Sequence, residues 1–381
     1  MGRAMPGALD GTRVLDISTT TAGAWCSKML AALGADVVLV EPPAGHTLRT
    51  IAPFGPDGAS IPAAYWLADK RSVTLDLDTA EGQATARRLA ARVDIVVSSY
   101  RPSELAARGL RYADIGVPAL VMGHVTPHGM DGPLAEVPGN DLTDAARSGW
   151  ASINGNVDRE PLKPAAWGGS MCTGVAAAGA IVAALFHRDR HPGEGQEVDV
   201  AEVEVLTGMF APALARSTYA GEAQKRRDAS DTLGGPVQVK DGHFALTLSR
   251  AHFWRDAMNL LGLPDLAEDP RWGASFYRQQ HRDEYVGRVT EAMAQWDKAE
   301  LFEELAVRRV VAGPVLTMAE LASNEHLRER GFWMRPEDDP AAQEMPGAPF
   351  KASGTPLTLH HGAPKPGAHT SEVLREIEAP S

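Results

Sequence analysis

The sequence is poor in the residues that mark several classes of function. Its two cysteines, Cys26 and Cys172, are far apart and form no Cys-x-x-Cys or Cys/His pattern. A disulfide scaffold and a structural metal site are therefore not expected, and both thiols read as reduced residues of a cytoplasmic protein. Positive charge is also short. Lys and Arg number 37 against 49 Asp and Glu, a formal net charge of −12, and such a surface repels the backbone of a nucleic acid. The opening residues, MGRAMPGALDGTRVLD, lack the apolar core of a signal peptide. The Ala-rich run from Gly174 to Phe186 is too short to span a bilayer, so no membrane partner is expected. There is no internal repeat or low-complexity tract, and no Gly-x-Gly-x-x-Gly follows the first strand-like segment.

What is present is an alternation of strand and helix signals. Arg13–Ile17 is a short apolar run, STTTAGAW is turn-rich, and CSKMLAALGA has helical spacing that closes on Gly34. The β-branched ADVVLVEPP follows, giving one βαβ unit. SVTLDL, EGQATARRLAARV, DIVVSSY and PALVMGHVT continue the pattern, which predicts an open α/β sheet of Rossmann type. Ligands of such sheets sit beyond the carboxyl ends of the strands. That rule brings Thr19 to Gly23, Glu41 to Pro43, Ser99 to Pro102 and Thr126 to Gly129 near any pocket.

TGVAAAGAIVAALFHR reads as a small-residue packing helix, and GEGQEVDVAEVEVLTGMF as a turn, a strand and a second helix. A polar stretch from Gly221 to Asp231 marks a boundary. Beyond it, GGPVQVKDGHFALTLS reads as a hairpin around KDG, with helices from about Ala251 to Leu261, Arg282 to Gln295 and Lys298 to Arg309. The expected organisation is a large α/β part over residues 1–221, a smaller α+β domain over 222–320, and a return to the large domain over 321–381.

GTRVLDISTTTAGAWCSKMLAALGADVVLVEPP resembles the opening of the class III CoA-transferases (the CaiB/BaiF group, with formyl-CoA transferase, carnitine CoA-transferase and alpha-methylacyl-CoA racemase). KRSVTLDLDTAEGQ, DIVVSSYRPSELAARGL, IVAALFHRDRHPGEGQEVDVAEVE, VVAGPVLTMAELASNEHLRERGFW and SGTPLTLHHGAPKPGAHTSEVL continue the resemblance in order. It implies a Rossmann-type large domain built from both chain ends, a smaller inserted domain, and a homodimer whose chains interlock like linked rings. It also implies coenzyme A as a substrate and a small carboxylic acid or acyl-CoA as its partner in the reaction.

In that family an aspartate attacks the acyl thioester and passes through a mixed anhydride to an enzyme–CoA thioester. Its D-x-x-x-G pattern, counted back from Gly174, places Ser170 there, and LKPAAWGGSMCTG holds no acidic residue at all. A serine hydroxyl needs a general base, and its ester does not exchange with CoA through an anhydride. Ser170 also reads as a helix cap, and Cys172 as a buried small residue. The racemase branch implies a histidine in a G-H-D pattern, where this chain has Asn140 followed by Asp141. Asp141, Asp144 and His128 are the nearest groups able to carry a proton, each with an ordinary loop or capping role as its other reading. On the CoA side the family's V-E-R-P becomes VEPP, with Pro42 in place of the arginine. Thr20, Thr21, Ala22, Arg49, Lys70, Arg71, Ser99, Tyr100 and Arg101 are the residues the resemblance leaves for the nucleotide, the cations being suited to phosphate oxygens. Three readings follow: an acyl-CoA enzyme without the usual aspartate, a non-catalytic subunit beside an Asp-bearing paralogue, or the fold turned to another acyl transfer, isomerase or lyase reaction.

Overall fold

The computed structural model describes residues 6–226, 235–248 and 250–378, so part of the polar stretch expected from Gly221 to Asp231 lies outside the described residues. The chain divides into two compact units. One comprises Met1–Gly155, Pro161–Lys225 and Glu329–Ser381, and the other Asn156–Glu160 and Arg226–Arg328.

The first unit is built on six parallel strands: β1 (Arg13–Asp16), β2 (Asp36–Glu41), β3 (Lys70–Thr74), β4 (Ile95–Ser98), β5 (Val121–Thr126) and β6 (Gln196–Ala201). Their order is β3-β2-β1-β4-β5-β6, the doubly wound arrangement, which reverses between β1 and β4. Parallel strands covered on both faces need continuous apolar side chains. Val37 to Val40 and Ile95 to Val97 supply them, all buried.

The helices of this unit include α1 (Thr21–Ala32), α2 (Ala80–Ala90), α3 (Pro102–Arg108), α4 (Asp141–Arg147), α5 (Gly168–Arg190) and α6 (Glu202–Gly208). α1 and α5 cover one face in a single apolar cluster with Val14, Val37, Leu39 and Val97. On the other face α2, α3 and the C-terminal helix Thr370–Glu378 pack on Leu15, Val38, Val40 and Val96.

α5 is longer than its Ala-rich stretch suggested. Its 23 residues are long and apolar enough to cross a bilayer by length and composition, which corrects the expectation that the segment is too short. Here Thr173, Gly174, Ala177, Ile181 and Leu185 of α5 are buried within the unit. Two glycines allow this. A Cβ on Gly174 would lie 2.6 Å from the Ala22 carbonyl oxygen and 2.8 Å from the Trp25 ring, and one on Gly123 would lie 2.4 Å from Ile181 Cδ1. Small residues thus set how closely α5 approaches α1 and the sheet.

β3 ends the sheet on one side, leaving backbone groups without a strand partner. The C-terminal segment takes them up. Ser72 N donates to His369 Nδ1 (3.1 Å) and Thr74 N to Thr370 Oγ1 (3.0 Å), while His369 N donates to the Ser72 carbonyl (2.9 Å).

The second unit carries the expected hairpin, β7 (Val237–Val239) and β8 (Gly242–Thr247), with β9 (Val311–Pro314) antiparallel to β8. Helices Ala251–Leu260, Arg282–Met293 and Lys298–Val307 surround Phe244, Trp254, Val289 and Leu301 in its own core.

Candidate active site

α5 begins at the end of a turn in which Ala166 has a left-handed backbone (φ 49), a conformation that costs a non-glycine residue energy and collects at functional sites. Lys163 holds the turn, its Nζ donating to the carbonyls of Pro164 (2.9 Å) and Ala166 and to Asp141 Oδ2 (2.7 Å). No side chain caps α5 at Trp167. Asp141 reaches across from α4 instead, and Ser170 N donates to its Oδ1 (3.0 Å). A carboxylate there satisfies an orphan N–H and faces the positive end of the helix.

Ser170 is buried, and its hydroxyl donates to Glu202 Oε1 at 3.0 Å. Glu202 stands immediately after the last residue of β6, where open α/β sheets present ligand-facing groups. Burial pushes its carboxyl up to about 8, helped by the negative charges of Asp144 and Asp141 and opposed by the Ser170 hydrogen bond. Asp144 is wholly buried; Thr143 Oγ1 donates to its Oδ1 (3.1 Å), and its Oδ2 has no partner. Burial raises it to about 6, with Asp141 adding to the rise and Thr143 and Arg147 opposing it. Ser170 therefore bonds two carboxyl groups, Asp141 and Glu202, and with Asp144 acting on both of these the three cannot all ionise cheaply.

Of the residues expected from the sequence, Ser170, Asp141 and Asp144 come together here. Glu202 and Lys163 were missed. Glu202 could have been found by carrying the strand-end rule on to the strand in QEVDVA; Lys163 offered no pattern. Asn140 is corrected: its Oδ1 accepts from the backbone N–H groups of Leu142 (3.0 Å) and Thr143 (3.1 Å), which makes it the N-cap of α4. His128 follows β5, and among the described residues no hydrogen bond joins it to the carboxyl groups; its Nε2 is buried without a partner. Burial lowers its basicity, and Arg147 lowers it further. The Cys172 thiol is raised by burial and by Asp141 and Glu202, the reverse of what a thiolate nucleophile needs.

The cations expected to hold the nucleotide are occupied within the fold. Lys70 is corrected most sharply: its side chain is 0 % exposed, and its Nζ contacts Asp16 Oδ2 (3.1 Å), Ser27 Oγ (2.8 Å) and the Ala24 carbonyl (3.0 Å). Arg71 bonds Asp36, Glu372 and Glu376. Arg49 grips both oxygens of Glu41 (2.6 and 2.7 Å), and Arg101 pairs with Glu104 (2.7 Å). A phosphate would have to displace a carboxylate from Arg49, Arg71 or Arg101, and cannot reach Lys70.

The polar groups of the nearby loops also work inside the fold. Thr20 caps α1 through Gly23 N (3.3 Å), with Thr21 and Ala22 in the first turn. Thr19 N donates to Ser99 Oγ (2.8 Å), joining the β1 and β4 loops at the switch point. The Arg108 guanidinium lies 4.6 Å from the Tyr100 ring centre. A cleft of about 590 Å³ opens elsewhere, lined by Asp36, Arg71, Asp338 and His361. Asp36 opens β2 and Arg71 lies at the start of β3, so this cleft is at the amino ends of the strands, the edge that such folds do not use for ligands.

Comparison with known proteins agrees with this architecture. The sequence profile of CoA-transferase family III matches residues 9–370, and the chain belongs to that family. It is 32% identical to the succinate–glutarate CoA-transferase of Agrobacterium fabrum, over 97% of this chain and 96% of that protein. It is also 32% identical to the succinyl-CoA:(R)-benzylsuccinate CoA-transferase subunit BbsE of Thauera aromatica, over 97% and 94% of the two chains. Among solved structures, a CaiB/BaiF family protein from Brucella suis superposes with a TM-score of 0.88 at 29% identity, covering 98% of this chain and 100% of that one.

Proposed function

We propose that this chain moves coenzyme A between small carboxylic acids, a succinate-type acid among them, at the pocket around Ser170 and without an aspartate at that position. The observation that carries the reading is that Asp141 and Glu202 both bond Ser170 at the start of α5, with Asp144 near enough to Glu202 to raise its carboxyl. A transfer between carboxylates needs a carboxyl group, and a site that burial keeps partly protonated can admit an anionic acid. Relatives named for succinyl-CoA chemistry supply the substrate class. The working form we propose is an interlocked homodimer in the cytoplasm.

The test is CoA exchange by the purified chain with succinyl-CoA and glutarate, followed by chromatography of the thioesters. Appearance of glutaryl-CoA supports the reading. CoA binding by calorimetry without exchange favours a second reading, a non-catalytic subunit that depends on an Asp-bearing paralogue. Two observations favour that alternative: position 170 carries no carboxylate, and two relatives are named as subunits. Light scattering with crosslinking checks the dimer.

A further inference from the structure

The Ser170 pocket still contains a carboxyl group suited to the missing reaction, supplied from another element. We infer that Glu202, the first residue of α6, is the nucleophilic carboxylate of this site, taking the place of the aspartate that position 170 lacks. The inference rests on the CoA-transfer reading above.

The hydroxyl oxygen of Ser170 lies one bond beyond Cβ, where an aspartate would have its carboxyl carbon, and Glu202 Oε1 is 3.0 Å from it. A carboxylate oxygen thus stands a hydrogen bond's length from the vacated position. Asp141 is unsuited, since its oxygens are engaged by Ser170 N and Lys163 Nζ. Asp144 is 0 % exposed, with one oxygen taken by Thr143. Glu202 differs. Among the described residues nothing donates to its Oε2, which is not one of the sealed, partnerless buried oxygens, and the residue keeps 6% exposure.

Two further features point to a ligand at the same place. The buried Asp144 Oδ2 lacks a donor, and an orphaned buried oxygen is matched by a proton or by a donor on something bound. Residue 169 is glycine; a Cβ there would lie 3.1 Å from Asp141 Oδ1 and 3.5 Å from Glu202 Oε1. Larger side chains would fill the space beside the two carboxyls. The N-terminal end of the 23-residue helix α5 favours negative charge developing on an attacked carbonyl.

The reaction balances with no other reactant. An ionised Glu202 oxygen bonds to the acyl carbon of the thioester, the carbon–sulfur bond breaks, and CoA leaves as thiolate. The thiolate then attacks the Glu202 carbonyl carbon of the mixed anhydride. This releases the first acid as carboxylate and leaves a glutamyl–CoA thioester. The second acid reverses the sequence: its carboxylate displaces CoA from Glu202, and the thiolate takes the acyl group, regenerating the Glu202 carboxylate.

The experiment incubates the full chain with succinyl-CoA, reduces it with borohydride and maps peptides by mass spectrometry. The expected result is conversion of the Glu202 carboxyl to an alcohol, dependent on succinyl-CoA. Reduction at Asp141 or Asp144, a succinyl ester on Ser170, or exchange that survives Glu202→Gln overturns the inference and leaves the CoA-transfer reading standing. CoA binding without exchange or adduct overturns the inference together with the reading that this chain moves CoA by itself, as does the absence of both binding and exchange. Two variants guard against loss of folding as an explanation. Glu202→Asp, which shortens the reach, should lower kcat by roughly tenfold to hundredfold with KM little changed. Ser170→Asp combined with Glu202→Gln should regain exchange relative to Glu202→Gln alone.

Discussion

Replacing Glu202 by glutamine should stabilise the protein, and by an amount that depends on pH. Glutamine keeps an oxygen to accept the Ser170 hydroxyl and has no charge to bury. Burial and the neighbouring acids lift the Glu202 carboxyl from 4.5 to about 8 in the folded chain. An acid that binds its proton more tightly when folded costs nothing below the unfolded value. The cost grows as pH rises from about 4.5 to about 8 and is constant above. At roughly 1.4 kcal/mol for each pH unit, the full cost is at most about 5 kcal/mol. We expect the variant to match the parent near pH 4.5 and to exceed it by about 2–5 kcal/mol at pH 9. In calorimetry at the higher pH, the transition of the unit that contains residue 202 should move up by roughly 3–8 °C. A Tm difference that stays the same from pH 4.5 to 9, or a variant less stable at pH 9, would refute the assignment of a buried, proton-holding carboxyl.

Other substitutions test other parts of the architecture. Lys70→Ala strands Asp16 as a buried, unpaired charge and should cost about 3–5 kcal/mol in denaturant unfolding, with Lys70→Met and Asp16→Leu together costing less. Asn140→Ala removes two hydrogen bonds from the start of α4 and should cost about 1 kcal/mol. If Asn140 contacted the substrate, exchange would fall far more than this loss of stability explains. Gly174→Val drives a side chain into Ala22 and Trp25; a drop of several degrees in Tm is expected, and an unchanged Tm would mean that α1 and α5 are not locked at this point.

The βαβ rhythm of the first unit was legible because strands such as DVVLVE and IVVS are β-branched runs and its first helix is bounded by Thr20 and Gly34. The hairpin around Lys240 and Asp241 was legible for similar reasons. Position 170 could be found by counting from Gly174. What surrounds it could not, since Glu202 and Asp141 stand 32 and 29 residues away in sequence. Their encounter is decided by where β6 and α4 end up. Cations were misread for a related reason. A basic residue at a strand start reads as solvated, but Lys70 points into the core toward an aspartate 54 residues earlier, a pairing that no local pattern encodes. Proline at position 42 was visible as a missing cation; the carboxylates already holding Arg49 and Arg71 were not.

The bonds that close the edge of β3 have a bearing on how the protein is made. Thr370 is 296 residues later in the chain than Thr74, to which it bonds. All six strands of the sheet therefore leave the ribosome well before the segment that shields its edge. During most of synthesis the amides of Ser72 and Thr74 are open to pairing with another nascent chain, and unpaired edges of this kind are where aggregation starts. A stop codon immediately upstream of His369 should accordingly yield insoluble protein, even though it leaves every strand of the sheet and every carboxyl group of the pocket intact.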